Sequence, residues 1–155
     1  MGCKRMDAVT YPNKDVIQLI QDSVIPVRIQ HDRELGRRFN IEWTPTLVLL
    51  DARGNEVYRT VGFLPPEHLM SSLTLGLGKM KLLAGKYEEA LSYFTQVASR
   101  YPRSEQAPEA MYYAGVARFK MTKDLKAMKE MYEKLSAAYP DSSWARKAMP
   151  YSGPE

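Results

Sequence analysis

Between residues 101 and 153 the sequence writes one phrase twice. YPRSEQAPEAMYYAG (101–115) and YPDSSWARKAMPYSG (139–153) align at a constant offset of 38 residues. Tyr101 matches Tyr139, Pro102 matches Pro140, Ser104 matches Ser142 and Ala107 matches Ala145. Ala110, Met111, Tyr113 and Gly115 match Ala148, Met149, Tyr151 and Gly153. A fixed period in the range of roughly 20–50 residues marks stacked supersecondary units. Each unit reads as a helix hairpin closed by Tyr-Pro, because proline lacks the N–H that the next helical turn requires. The stretches after the two Tyr-Pro pairs are joints between helices, with Ser104 and Ser142 as capping residues. The repeat predicts Tyr101-Pro102 and Tyr139-Pro140 at equivalent helix ends. It also predicts Ala90, Phe94, Ala110 and Ala114 buried between packed helices.

The chain before the repeats is of another kind. Composition changes near residue 68, from alternating strand-like and helix-like stretches to a helix-forming run rich in Ala, Met, Lys and Tyr. Residues 3–9 read as the first turns of a helix entered at Cys3, and TYPNKD breaks it at Pro12 and Asn13. Asp15 is a candidate cap for a second helix, VIQLIQDS, with Val16, Leu19 and Ile20 on one face. VIPVRIQ (24–30) is β-branched and predicts a strand, with Pro26 near its start or at an edge position. DRELGRRFNI predicts a short helix with Leu35 and Phe39 four apart. Thr46 to Leu50 is a continuous apolar and β-branched run, the pattern of a strand buried on both faces. ARGN predicts a hairpin turn into the alternating strand EVYRTVGF. LPPEHLMSSL opens a helix, with Pro66 at the favoured first position and Glu67 after it.

Several chemistries are excluded. Cys3 is the single cysteine of 155 residues, so neither an internal disulfide nor a cysteine-based metal site is available. His31 and His68 are far apart and have no spaced partners, so no metal ligation is expected. The net charge of +4 is scattered among acids, which reads as solvated surface rather than a nucleic-acid footprint. No apolar run approaches the roughly 20 residues of a membrane span. No apolar core of a secretory signal is visible at the N-terminus.

Two resemblances organise these pieces. Leu77-Gly78, Gly85, Tyr87, Ala90, Phe94 and Pro102 fall at the spacing of the tetratricopeptide pattern L-G…G-x-Y-x-x-A-x-x-x-F…P. The second unit, about 107–142, departs from it: KMTKDLKAM lacks the turn glycine and has one residue more. The Tyr-Pro-x-Ser joints resemble those of bacterial envelope tetratricopeptide proteins. Residues 1 to about 76 resemble the thioredoxin fold from its active-site loop onward. GCK is similar to the end of the W-C-x-x-C-K motif, WTPTLVLLD (43–51) to the cis-proline loop and following strand, and ARGNEVYRTVGF to the closing hairpin. CKRMDAVTYPNKDV is similar to the subgroup whose motif helix kinks before a T-[FY]-x-[DN]-x-x-V stretch.

The fold class implied is an α/β thioredoxin-like domain, N-terminally incomplete, followed by an all-α tetratricopeptide-like region. The expected domains are 1–70 and 71–155, with about two repeat units and a shared helix near 66–84. The resemblance implies a thiol–disulfide oxidoreductase with a partner-binding helical tail. Cys3 is then the resolving thiol, and the nucleophile, cysteine or selenocysteine, lies just before Met1. Pro45 orients substrate with Thr44, and Trp43 either packs or touches substrate. The Thr44–Pro45 bond is expected to be cis and close to the start of the first helix. A miscalled start or fragment, a degenerate non-catalytic scaffold, and a selenocysteine before Met1 are the three readings of the missing first thiol. Expected partners are a protein disulfide, dithiol or reductase, and a protein held by the repeats, with homo-oligomerisation as a further use of that surface. No cofactor is expected. The compartment is not readable from the sequence; of the two that suit a lone thiol beside this pattern, the cytoplasm is favoured over the envelope. The central strand of the resembled fold is missing, so self-association through 24–30 and 46–50, or poor stability, is expected.

Overall fold

The computed structural model describes residues 1–29 and 33–153. The chain divides into two compact units, Met1–Met70 and Ser71–Glu155.

The first unit opens with a short helix, α1 (Gly2–Arg5), which continues into a π-helical turn, Met6–Thr10. The wider turn is closed by Tyr11 N–H donating to the Met6 carbonyl at 2.9 Å, five residues back. Pro12 then ends it. The cap of α2 (Lys14–Ser23) is Asn13, not Asp15: its side chain accepts from the N–H groups of Asp15 and Val16 at 3.0 and 3.2 Å. Asn13 has the extended backbone of a cap (φ −66°, ψ 129°), whereas Asp15 lies inside the first turn, where its charge favours the helix dipole.

The strand expected at 24–30 does not form over its described residues, 24–29; Gln30 and His31 lie outside the described residues. Residues 25–29 make no backbone hydrogen bond among the described residues. Ile25, Val27 and Ile29 are 92%, 76% and 50% exposed. β-Branched composition favours a pleated, half-buried surface, but a strand needs a neighbour to complete its ladder, and none lies beside it among the described residues.

α3 (Arg33–Arg38) ends on Asn40 in the left-handed region (φ 49°), with Ile41 N–H reaching back to the Gly36 carbonyl at 2.8 Å. β1 (Thr46–Leu50) and β2 (Glu56–Val61) pair antiparallel, from Thr46 opposite Val61 to Leu49 opposite Tyr58, with a bulge before Leu50 meets Glu56. Asp51 organises the connecting turn by accepting from the N–H groups of Arg53 and Asn55 and from the Asn55 amide. The Arg59 guanidinium donates to the carbonyls of Phe39 and Asn40 at 2.6 and 3.1 Å, which fastens the end of α3 to β2. The sheet has only these two strands among the described residues, so the second edge of β1 has no partner there. Met6, Val16 and Leu69 form the core, with Tyr11, Ile20, Leu47, Phe63, Leu64 and Met70 around it.

α4 (Pro66–Leu83) starts at Pro66 as expected, begins in the first unit and ends in the second. After it come α5 (Tyr87–Arg100), α6 (Gln106–Thr122), α7 (Lys126–Ala138), α8 (Ser143–Ala148) and a 3₁₀ turn, Met149–Tyr151. None of the described helices is long and apolar enough to cross a membrane. The repeat is real in three dimensions. Tyr101 and Tyr139 cap α5 and α7 with nearly the same backbone, φ −128°, ψ 52° and φ −138°, ψ 59°. The Tyr139 hydroxyl donates to the Pro102 carbonyl at 2.6 Å, so one joint is bonded to the other. Ala107 and Ala110 are buried like their counterparts Ala145 and Ala148.

The equivalence has limits. Ala90, Phe94 and Ala110 are buried, but Ala114 is only half-buried, because the close approach falls on its neighbour Gly115. Ser142 caps α8 through its hydroxyl, whereas the Ser104 hydroxyl donates to the Tyr101 carbonyl. The missing turn glycine is replaced by Lys123, held at φ 60° where the first unit has Gly85 at φ 74°.

Two glycines let these helices touch. A Cβ on Gly78 would stand 2.7 Å from Phe94 Cε1, and one on Gly115 would stand 2.4 Å from Met131 Cβ. The extra residue of the second unit lies between Gly115 and its turn, which moves the small-against-large contact without removing it. Gly115→Ala is therefore expected to destabilise: overpacking costs about 1–3 kcal/mol and outweighs the roughly 1 kcal/mol gained in helix propensity. Gly36→Ala, in α3 with nothing within 4 Å of its Cβ, should be neutral or stabilising. Thermal melts should show a lower midpoint for Gly115→Ala and an unchanged or higher one for Gly36→Ala, and equal shifts would refute the packing argument.

Candidate active site

Cys3 lies in the first turn of α1 and is half-buried as a free thiol. The helix is held by three contacts along its length. At its start, Gly2 abuts Pro45 so closely that a Cβ would stand 2.6 Å from the ring Cδ and 3.7 Å from the Thr44 carbonyl oxygen. One turn on, the Arg5 guanidinium sits 4.9 Å over the Phe63 ring. At its end, Leu64 N–H donates to the Met6 sulfur at 3.3 Å and the buried Thr10 hydroxyl donates to the Leu64 carbonyl. Both polar groups of Leu64 are thereby satisfied by the π-helical extension of α1, and the segment after β2 is pinned there.

The loop before β1 faces this helix start. The Thr44–Pro45 bond is cis, as the motif predicts, and Pro45 is buried. Gly62, at φ 97°, donates its N–H to the Pro45 carbonyl at 2.8 Å and ties the loop to the end of β2. The Thr46 hydroxyl donates to the Trp43 carbonyl at 2.6 Å and closes the turn. Trp43 itself is 70% exposed. Thr44 makes no hydrogen bond among the described residues, so its backbone N–H and carbonyl are open. The tertiary structure thus brings the turn bearing Cys3 against the Thr44–Pro45 loop, although more than forty positions separate them.

A cluster that sequence reading did not single out borders Cys3. Arg28 donates to both carboxylate oxygens of Asp7, at 2.7 and 2.9 Å. That hydrogen bond holds the exposed Asp7 carboxyl below its usual range. Burial pushes the Tyr11 phenol up, and Arg28 partly opposes the effect. The spacing of Cys3, Asp7 and Tyr11 at intervals of four was legible as one helix face; the arrival of Arg28 on that face was not.

The second unit carries an aromatic patch. Tyr112 and Tyr113 meet edge-on at 5.5 Å, and each approaches Trp144, at 5.2 and 5.5 Å. Lys147 lies 3.9 Å over Trp144, while Lys79 lies 5.1 Å over Tyr113 and pairs with Glu109 at 2.7 Å.

Comparison with known families assigns both units. Residues 1–75 match the thioredoxin-like domain model, and residues 73–104 and 109–142 match the tetratricopeptide repeat model. A search among curated proteins returned no match.

Proposed function

From a chain that is a thioredoxin-like domain followed by tetratricopeptide repeats, we propose a thiol–disulfide oxidoreductase whose repeats hold a protein partner. The observation that carries this reading is the packing of Gly2 on the cis Pro45, one residue from Cys3. The open backbone of Thr44 is suited to pair with an extended substrate segment laid across that contact, with exposed Trp43 as a side-chain contact beside it.

The cycle needs two chalcogen atoms. A first thiolate or selenolate attacks one sulfur of a substrate disulfide, forms a mixed disulfide and expels the other substrate sulfur as a thiolate, which takes a proton. Cys3 is the resolving thiol. Its sulfur attacks the nucleophile's atom and expels the second substrate thiolate. It is left bonded to the nucleophile, and two electrons have passed to the substrate. A dithiol reductant then resets the pair. The motif spacing puts the nucleophile three positions before Cys3, as cysteine or selenocysteine. A preceding strand would also find open edges at β1 and at 24–29, whose backbone groups otherwise invite pairing with another copy.

The test compares the 155-residue chain with one extended by its natural upstream codons, by reduction of insulin disulfides with a dithiol. The extended form should turn over, melt higher and sediment as one species. Cys3→Ser in that form should lower turnover to the rate of the dithiol alone and accumulate the mixed disulfide. If Cys3→Ser leaves turnover unchanged, or the extended form has none, the redox half is a scaffold and the repeats carry the function.

A further inference from the structure

Residues 25–29 lack backbone hydrogen bonds among the described residues, yet Arg28 is held on the helix by a bidentate ion pair with Asp7. Asp7 is one turn beyond Cys3, and Tyr11 one turn beyond Asp7. Successive helical turns thus line up Cys3, Asp7 and Tyr11, and Arg28 is seated on that line through both oxygens of Asp7. Other charged groups close in the chain are the Met1 amino group and, on the same helix, Lys4 and Arg5, with Arg5 drawn over Phe63. The loop packed on the helix start presents Trp43, Thr44 and Pro45, none of which is charged.

A thiolate, not a thiol, is the attacking species. A carboxylate one turn away opposes its formation, and a guanidinium favours it. We propose that Arg28 is a positioning residue for the chemistry at Cys3: it neutralises the Asp7 carboxylate one turn away, so that the sulfur attacks without like-charge repulsion. The inference rests on the reading of Cys3 as the resolving thiol. It adds that the seating of the 24–29 segment controls how fast that thiol reacts. If Arg28 leaves the helix, an uncompensated carboxylate remains beside the sulfur.

The experiment is the rate of alkylation of Cys3 by iodoacetamide, an uncharged probe, in the full chain at low ionic strength across pH. Arg28→Ala should slow the reaction at neutral pH by roughly two- to five-fold, the range expected of a partly exposed charge within a Debye length. Its pH–rate curve should move to higher pH. Asp7→Asn should speed the reaction by a similar factor and move the curve the other way. The double variant should return close to the parent, Arg28→Lys should keep most of the parent rate, and salt near ~1 M should collapse the differences. Both single substitutions break the same ion pair, so a purely structural role moves both rates in one direction. That outcome, or rates unchanged in both, overturns the proposal. Iodoacetamide reads the thiol whether or not the protein turns over a disulfide, so failure here and failure of the oxidoreductase reading are separate results.

Discussion

Phe94→Ala is expected to remove about 3–5 kcal/mol from the stability of the helical half, the usual cost of emptying a buried aromatic site. Phe94 is fully buried. Its ring lies against the bare backbone of Gly78 on one side and stacks on Tyr113 on another, with centroids 5.8 Å apart and planes 27° apart. The void cannot close by a simple collapse, because the flanking Ala90 and Val97 are already buried in the same helix. Urea unfolding followed by helical circular dichroism should show a lower midpoint with an unchanged slope. Phe94→Leu, which keeps most of the volume, should cost less than Phe94→Ala. Gly78→Ala should be harmful alone and tolerated in the Phe94→Ala background, since its methyl enters the vacated space. Additivity of those two changes, or a loss below about 1 kcal/mol for Phe94→Ala, would show that the glycine–phenylalanine contact does not hold the hairpin.

Gly2→Val is expected to be the second large effect, and it falls on the site. Its Cβ would enter within 2.6 Å of Pro45 Cδ, a ring atom that cannot swing aside as the end of a long side chain can. Pro45 is also fixed from behind by the bond from Gly62 N–H to its carbonyl. The helix start must therefore retreat from the loop and carry Cys3 with it. Overpacking of this kind costs about 1–3 kcal/mol. Disulfide turnover in the extended chain should fall more steeply than stability, because the Thr44 backbone loses its place beside the thiol. Melting and insulin reduction measured on the same preparation separate the two. A variant with full turnover and an unshifted melt would remove the Gly2–Pro45 contact from the functional argument.

Much of this site was legible before any coordinates. TPT ahead of a continuous apolar run marked a cis-proline loop and a strand, and both are present, but the strand expected to be buried on both faces is only half-buried along its length, because the sheet has just two strands among the described residues. The first helix, its break at Pro12 and the start of α4 at Pro66 follow from proline's missing donor and fixed φ. The doubled Tyr-Pro joint implied two equivalent helix ends, and their backbone angles agree closely. These signals are local: the residue responsible sits at, or within a turn of, the feature it causes.

What local signals left undecided required a partner elsewhere in the chain. Residues 24–29 have strand composition, but composition supplies no ladder: Val24 only closes the end of α2, and from Ile25 to Ile29 the backbone makes no hydrogen bond among the described residues and the apolar side chains of Ile25, Val27 and Ile29 are exposed. Lys123 takes the left-handed turn that sequence assigns to glycine, because the hairpin's closure there, with Lys123 N–H on the Phe119 carbonyl at 2.7 Å, outweighs the modest strain of a side chain at φ 60°. Burial passed from Ala114 to Gly115 because it is Gly115 that α6 presses against Met131. Arg28 reads in sequence as an ordinary surface cation, and only the folded chain sets it on Asp7 beside Cys3. The sequence by itself determined where helices start and stop, which bond is cis and that the helical half repeats, since each depends on the covalent character of nearby residues. Which strand finds a ladder, which glycine bears the contact and which cation pairs with Asp7 were decided by tertiary structure, because each depends on distances between residues far apart in the chain.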